Sequence, residues 1–276
     1  MKIVVILVMV LVVAGAVLAG AYWRFNAAMA EDVRRLVDAA RPSGAVVTEA
    51  RLAGLPAAAA RYLRASGVVG KPIPAVVRLT QRGRIRGDAA AGWMDLEAEE
   101  TYSTDPPAFV WRAWFPKSTL PIVLGRDEYL DGEGSILMKA LALYSVADEH
   151  GEELGAAGLM RYLNEMMWFP AAFLGDNVSI AAVDDGAFDA TISDRGMTAT
   201  ARLFIDSEGR LTNFRARRFN TGTRTVETWE TPVGDYRVLG GLNLPANGSA
   251  VWKLAGGDFT YIELTITAVA YDAPLP

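Results

Sequence analysis

Cysteine is absent from the 276 residues. That excludes disulfides, thiolate nucleophiles, iron–sulfur clusters, cysteine zinc sites and any lipid-modified cysteine anchor. Histidine occurs once, as His150, so a multi-histidine metal centre is excluded and a Ser-His-Asp triad would have to use that single ring. The serines sit in no nucleophile-elbow pattern. Positive charge is also short: 27 Lys and Arg face 32 Asp and Glu, a formal net charge of -5. A nucleic-acid partner needs a basic footprint that this chain lacks. Asp127, Asp131 and Glu133 surround a glycine-containing turn but miss the ligand set of an EF-hand, so turn chemistry accounts for them. No metal, cofactor or catalytic residue is expected.

Long apolar runs are scarce too, with one exception at the N-terminus. Ile3 to Trp23 is unbroken after Lys2, long enough as a helix to span roughly 30 Å of hydrocarbon. Tyr22 and Trp23, followed by Arg24, have the composition of an interfacial anchor. The competing reading is a signal peptide, with Ile3–Val13 as its apolar region and small residues at Ala14, Ala16, Ala19 and Ala21. The uncleaved anchor is preferred because the apolar run passes through those sites into the aromatic pair. The expected division is an anchor over 1–24, a juxtamembrane helix and linker over 25–54, and one domain over 55–276. That domain is expected outside the cytoplasm, tethered or, after cleavage, secreted.

Beyond the anchor, Glu31–Ala40 reads as an amphipathic helix stopped at Arg41-Pro-Ser-Gly44. A second short helix is expected from Pro56 to about Ser66. From Ala75 the apolar period becomes two. Val77-Leu79-Gln81 begins a strand to Arg86, and Trp93–Ser103 a second in which Leu96, Ala98, Glu100 and Tyr102 alternate with Glu97, Glu99 and Thr101. Phe109–Phe115 is an aromatic-rich third strand and Ile122–Leu130 a fourth. Ser135–Val146 reads equally as buried strand or helix. After Val178 come seven strand-length segments, ending at Phe259–Tyr271, with Asp184-Asp-Gly186, Asp194-Arg-Gly196, Asp206-Ser-Glu-Gly209 and Gly256-Gly257 as turns. Thr225–Tyr236 is read as one of the seven. Short links make sequential strands antiparallel neighbours.

Between these runs lies Gly158–Leu174, apolar and of helical period. Leu159, Tyr162, Leu163, Met166 and Met167 make a broad apolar face, and Arg161, Asn164 and Glu165 a narrow polar seam. Such a helix must be covered almost all round. The expected fold is therefore α+β: a curved antiparallel sheet, an open or incomplete barrel of roughly ten or eleven strands, wrapped around this helix.

Several segments also carry a likeness. Arg61-Tyr-Leu-Arg-Ala-Ser-Gly-Val-Val-Gly-Lys-Pro72, Trp93 with Glu97-Ala-Glu99, Pro106–Ala113, Arg126–Gly134 and Arg161-Tyr-Leu-Asn-Glu-Met-Met-Trp-Phe-Pro170 resemble an uncharacterised family of membrane-anchored prokaryotic proteins. The likeness runs from about Leu55 to the C-terminus and implies no activity. Asp206-Ser-Glu-Gly-Arg-Leu211 with Gly234–Pro245 is similar to the closing strands of LolA/LppX-type lipoprotein carriers. That resemblance implies an incomplete barrel with helices across its mouth and an apolar cavity between them.

The candidate ligand-binding residues are Trp93, Trp111, Tyr129, Arg161, Glu165, Met166 and Trp168. Arg161 and Glu165, four apart, are either an exposed helix pair or an inward pair beside a cavity. Glu97, Glu99 and Glu100 read as a solvated edge, His150 as part of a polar loop, and Arg215, Arg217 and Arg218 as a solvated basic face or a contact for anionic lipid. The aromatic and methionine side chains suit either core packing or a pocket for a flexible apolar ligand. The leading expectation is binding or transfer of a lipid or other hydrophobic ligand. The alternatives are a ligand-free assembly module, its protein partner unspecified, and a carboxylate-dependent hydrolase.

Overall fold

A computed structural model describes residues 1–116 and 123–274. The chain opens with α1 (Lys2–Ala39), α2 (Glu49–Leu52) and α3 (Ala57–Ser66). Six strands follow: β1 (Val76–Ile85), β2 (Met94–Thr104), β3 (Pro107–Phe115), β4 (Val123–Leu130), β5 (Glu133–Ala140) and β6 (Tyr144–Gly151). Then come α4 (Glu152–Glu165) and two 3₁₀ turns, Met166–Trp168 and Pro170–Leu174. The second run of strands is β7 (Val178–Asp184), β8 (Ala187–Asp194), β9 (Met197–Ile205), β10 (Leu211–Asn220), β11 (Thr225–Glu230), β12 (Val233–Leu239), β13 (Leu242–Leu254) and β14 (Gly257–Tyr271).

All fourteen strands among the described residues belong to one antiparallel sheet, in the order β6-β5-β4-β3-β2-β1-β14-β13-β11-β10-β9-β8-β7, with β12 paired to β13 off that path. The first and last strands of the chain, β1 and β14, are therefore central, and the two runs form two wings. The sheet curls because α4 packs against β4 and β5 on one wing and against β9 and β10 on the other. Tyr129 on β4 ties the wings together by donating to Asp194 Oδ2 on β8 at 2.6 Å. The expected curved sheet around an apolar helix is the observed fold.

The strand count exceeds the expected ten or eleven for two local reasons. Ser135–Val146 is neither one strand nor a helix; it belongs to a hairpin of β5 and β6. Thr225–Tyr236 is broken at Thr231-Pro232, because proline lacks the donor a ladder needs, so it forms β11 and β12. Ile122, read as the start of the fourth strand, lies outside the described residues. His150 is on β6, exposed and bonded to Asp148 Oδ1 at 2.6 Å, and not in a loop.

The apolar segment 158–174 also divides differently from its period. The regular helix starts earlier, at Glu152, where two glutamates face the positive end of the dipole. It ends at Glu165, and Phe169-Pro170 splits the remainder into two 3₁₀ turns. Two glycines let this helix approach the sheet. A Cβ on Gly134 would stand 2.0 Å from the Leu154 carbonyl oxygen, and one on Gly158 would stand 3.0 Å from the Tyr129 ring.

On the convex side, α1 runs unbroken through the boundary expected near residue 24. Phe25, Met29 and Leu36 are buried with Ala108, Val110 and Leu124, and Ala21, Val33, Val37 and Trp114 pack against them. Asp32 of α1 bonds Arg126 of β4 at 2.8 Å, where both side chains are largely shielded. This cover explains why β3 is apolar on both faces. Ala108, Val110 and Trp114 meet α1, while Phe109, Trp111, Ala113 and Phe115 alternate into the main core.

Candidate functional site

The main core does not fill the space inside the curled sheet. A cavity of about 750 Å³ lies between α4 and both wings, within the range of small-ligand pockets. Apolar walls come from Phe115 and Met138 on one wing and from Trp229, Trp252 and Leu264 on the other, with Met167 and Trp168 from the first 3₁₀ turn. Exposed residues of three turns also border it: Gly87–Ala89, Thr221–Thr223 and Gly256–Asp258. These turns form its rim. The rim turn between β1 and β2 is at the end of the sheet that α1 leaves. Glu97 pairs with Trp114 there, and Trp114, like Ala21, packs against the cluster that holds Phe25.

Part of the polar lining, Asp127, Arg161 and Glu165, belongs to a cluster about Arg161. Its Nη2 donates to Glu100 Oε1 at 2.9 Å and its Nε to Glu165 Oε1 at 2.7 Å, and its Nη1 bonds Asp127. The guanidinium also lies 4.7 Å from the Phe109 ring centre and 5.3 Å from that of Trp111, a favourable place for a cation. Gln81 bridges outward, accepting from Trp111 Nε1 at 3.1 Å and donating to Glu100 Oε2 at 2.9 Å. Tyr102 donates to Glu165 Oε2 at 3.2 Å. Three carboxyl groups thus converge on one guanidinium, which they hold firmly in its charged form against the cost of burial.

Glu100 has the opposite problem. Burial lifts its carboxyl well above the usual range; Arg161 opposes this and neighbouring Glu165 adds to it. Burial likewise raises the Tyr102 phenol, with Glu100 and Glu165 reinforcing the effect. The cluster thus sets carboxyls whose charge burial disfavours, together with one guanidinium, beside the apolar walls. A second, half-buried cation also lines the cavity: Arg218 lies 4.8 Å from the Trp229 ring centre and donates from Nε to the Ala157 carbonyl at 3.1 Å.

Of the residues singled out in the sequence, Trp111, Arg161, Glu165 and Trp168 line the cavity together. The other three do not. Met166 and Tyr129 are buried in the packed core, and Trp93 lies at the β1–β2 hairpin end beneath Arg84 and Arg86, 4.6 and 4.5 Å from its ring. One open choice is decided and two expectations are corrected. Of the two readings of Arg161 and Glu165, the inward pair is the one observed. Asp127 belongs to β4 and serves Arg161 instead of a turn. Glu100 is buried although Glu97 and Glu99 on the opposite face are solvated. Arg215 and Arg217 are exposed and bonded to Glu230 and to Thr228, whereas Arg218 turns inward.

Gln81 and Glu100 were among the cluster's missed members. Each interrupts an apolar alternation, Val77-Leu79-Gln81 and Leu96-Ala98-Glu100-Tyr102, on the buried face. A polar residue in phase with the core is the signal that would have found them. Among the described residues, no group of three or more His, Asp or Glu side chains is arranged to hold a metal ion.

Comparison with known proteins gives a family and no ligand. No curated protein matches the chain. Among solved structures it is similar to a LolA superfamily protein from Nitrosomonas europaea, with 9% identity, a TM-score of 0.45, and coverage of 79% of this chain and 94% of that one. It is similar to a DUF1329 family protein from Desulfovibrio piger, with 8% identity, a TM-score of 0.37, and 84% and 96% covered. The third is the lipoprotein LppX of Mycobacterium tuberculosis, with 14% identity, a TM-score of 0.28, and 82% and 97% covered. These scores assign no ligand. A family model shows more: residues 45–264 fit a family of unknown function, DUF6544, and the chain belongs to that family.

Proposed function

We propose that this protein holds a lipid or similar hydrophobic ligand in the cavity beside α4, from a position tethered to the membrane by the first half of α1. The observation that carries this reading is the cavity itself. Met167 and Trp168 border the space without filling it, so about 750 Å³ remains open next to apolar walls. Water is a poor occupant of such walls, and an acyl chain gains about 0.8 kcal/mol for each methylene it buries. The carboxyls of Asp127 and Glu165 line the cavity and, with the fully shielded Glu100 also on Arg161, form an acceptor-rich patch that supplies one polar end for an amphipathic guest. Arg161 is already bonded to all three carboxyls, which favours a role in shaping that patch over one as a free anion receptor.

Tethering is supported by the state of α1. Its apolar half is long enough to cross a bilayer and none of that stretch is buried against the rest of the chain. Packing on the sheet begins only at Ala21. An exposed apolar helix of this length calls for hydrocarbon around it.

The test uses the full chain in nanodiscs, with palmitate carrying a diazirine on its chain. After photolysis and digestion, mass spectrometry should place adducts on peptides containing Met138, Met167–Trp168 or Trp252. Ala250→Phe narrows the cavity and should reduce those adducts several-fold while leaving labelling of residues 3–20 intact. Labelling confined to residues 3–20 in the unsubstituted protein would overturn the ligand reading.

A further inference from the structure

The turn between β5 and β6 is chemically odd. The Leu143 amide bonds the Ala140 carbonyl at 3.0 Å, closing a tight turn over Leu141 and Ala142. Both central residues are left-handed, with φ of 51° and 60°. Hairpins that need this conformation normally place Asn-Gly or a similar pair there, because other side chains are strained in it. Here the positions hold leucine and alanine. Leu141, Leu143, Tyr144 and Val146 are exposed around the tip, Tyr144 to 72%. Solvent-facing turns are polar as a rule, and a contiguous apolar tip marks a contact surface.

Its location identifies the contact. Ala142 is buried in the same cluster as Phe25, with Ala21 packed against it. The hairpin tip therefore sits beside α1 where the exposed apolar run gives way to Tyr22, Trp23 and Arg24. Tyr22 and Trp23 are themselves exposed, as an aromatic belt at a bilayer surface would be. Polarity changes along β6 in the matching direction. The strand is apolar at Tyr144 and Val146 near the tip and becomes Asp148, Glu149 and His150 further away. A bilayer accepts the first end and repels the second.

We infer that the β5–β6 hairpin tip inserts into the membrane interface as a second contact beside α1. The inference rests on the reading of α1 as a membrane anchor, but not on the cavity having a ligand. Two contacts, one spanning and one interfacial, would fix the rotation of the sheet about the helix axis. They would also hold the β1–β2 rim of the cavity toward the bilayer, as delivery or uptake of a lipid requires.

The absence of native cysteine gives a clean test. Single variants Leu143→Cys, Val146→Cys, Leu11→Cys and Val238→Cys of the full chain are nitroxide-labelled in phosphatidylcholine/phosphatidylglycerol nanodiscs. Collision with oxygen, enriched in lipid, is compared with collision with a water-soluble nickel chelate. Positions 143 and 146 should favour oxygen, as Leu11 in the span does, whereas Val238 near the β12–β13 turn should favour nickel. Equal nickel access at 143, 146 and 238, with Leu11 still protected, would overturn the inference and leave the anchor standing. Nickel access at Leu11 would remove both. Dipolar broadening between labels at 146 on two chains would assign the edge to a second copy of the protein and likewise overturn insertion.

Discussion

Replacing Arg161 with methionine isolates what the buried cluster does. The substitution keeps an unbranched chain against Phe109 and Trp111 and deletes the cation that Glu100, Asp127 and Glu165 share. The Arg161 side chain is 14% exposed and that of Glu100 is fully shielded, so solvent replaces little of the lost interaction. Breaking a buried ion pair by removing one partner costs about 3–5 kcal/mol. At about 2–4 °C per kcal/mol for a domain of this size, Tm should fall by roughly 6–20 °C near pH 7. The pH dependence carries more information than the size. Glu100 binds its proton more tightly in the folded chain than its ordinary value of 4.5, and losing Arg161 tightens it further. Above about pH 4.5 the native state then holds a proton that the unfolded state has released, so stability falls as pH rises and recovers on acidification. The R161M deficit should be largest at neutral pH and shrink toward pH 5. The companion variant Glu100→Gln needs no proton to be neutral; its stability should match or exceed that of the parent at pH 7–8, with a flatter pH profile. Thermal unfolding of full-length protein in nanodiscs, followed by circular dichroism between pH 5 and 8, reads both effects. An R161M protein as stable as its parent at pH 7, or one whose deficit grows on acidification, would refute the reasoning.

Two further substitutions test how the helices are seated. Gly134→Ala places a methyl group 2.0 Å from the Leu154 carbonyl oxygen; because the obstacle is backbone, the start of α4 must shift, and the unfolding midpoint in urea should drop far more than for Gly87→Ala, where the added carbon meets nothing within 4 Å. Leu36→Ala empties a buried site between α1 and the convex face and should cost about 2–5 kcal/mol; proteolysis at Arg41 should accelerate if α1 then detaches, and an unchanged cleavage rate would argue against the packed seam.

How far the sequence led depends on which periodicity was at stake. The curled sheet was legible because strands such as Thr198–Ile205 alternate cleanly and end at turn residues, and because one helix was too apolar to face water. The strand count was less legible. A continuous run such as Ser135–Val146 carries no phase information, and only the pairing of β5 with β6 decides its state. The helix boundary moved for a similar reason: Met166–Leu174 keeps the apolar content of a helix, but Phe169-Pro170 removes the hydrogen bond that would continue it. Nothing in the polar sequence Glu152-Glu153 outweighs a glycine-rich segment by propensity alone, and tertiary cover supplies the difference.

The site was half legible, and the missing half has a common physical origin. Arg161 and Glu165 stood out because a charged pair on an apolar helix demands an explanation. Glu100 did not, because two exposed glutamates beside it invited one account for all three. Burial is a property of face and not of neighbourhood: Glu97 and Glu99 point to one side of β2 and Glu100 to the other, where Leu96, Ala98 and Tyr102 already mark the core. A carboxyl in that phase must find a cation or become harder to ionise, and Glu100 shows both: it is bonded to Arg161, and burial raises its pKa. The same rule separates Arg218 from Arg215 and Arg217. Cavity volume is beyond any such rule, since whether Met167 and Trp168 fill a space or border it depends on the spacing of two wings bridged by α4 and by the Tyr129–Asp194 and Arg195–Asp131 bonds. That spacing is what leaves room for a guest, and so the feature that carries the proposed function is one that no single segment of the chain encodes.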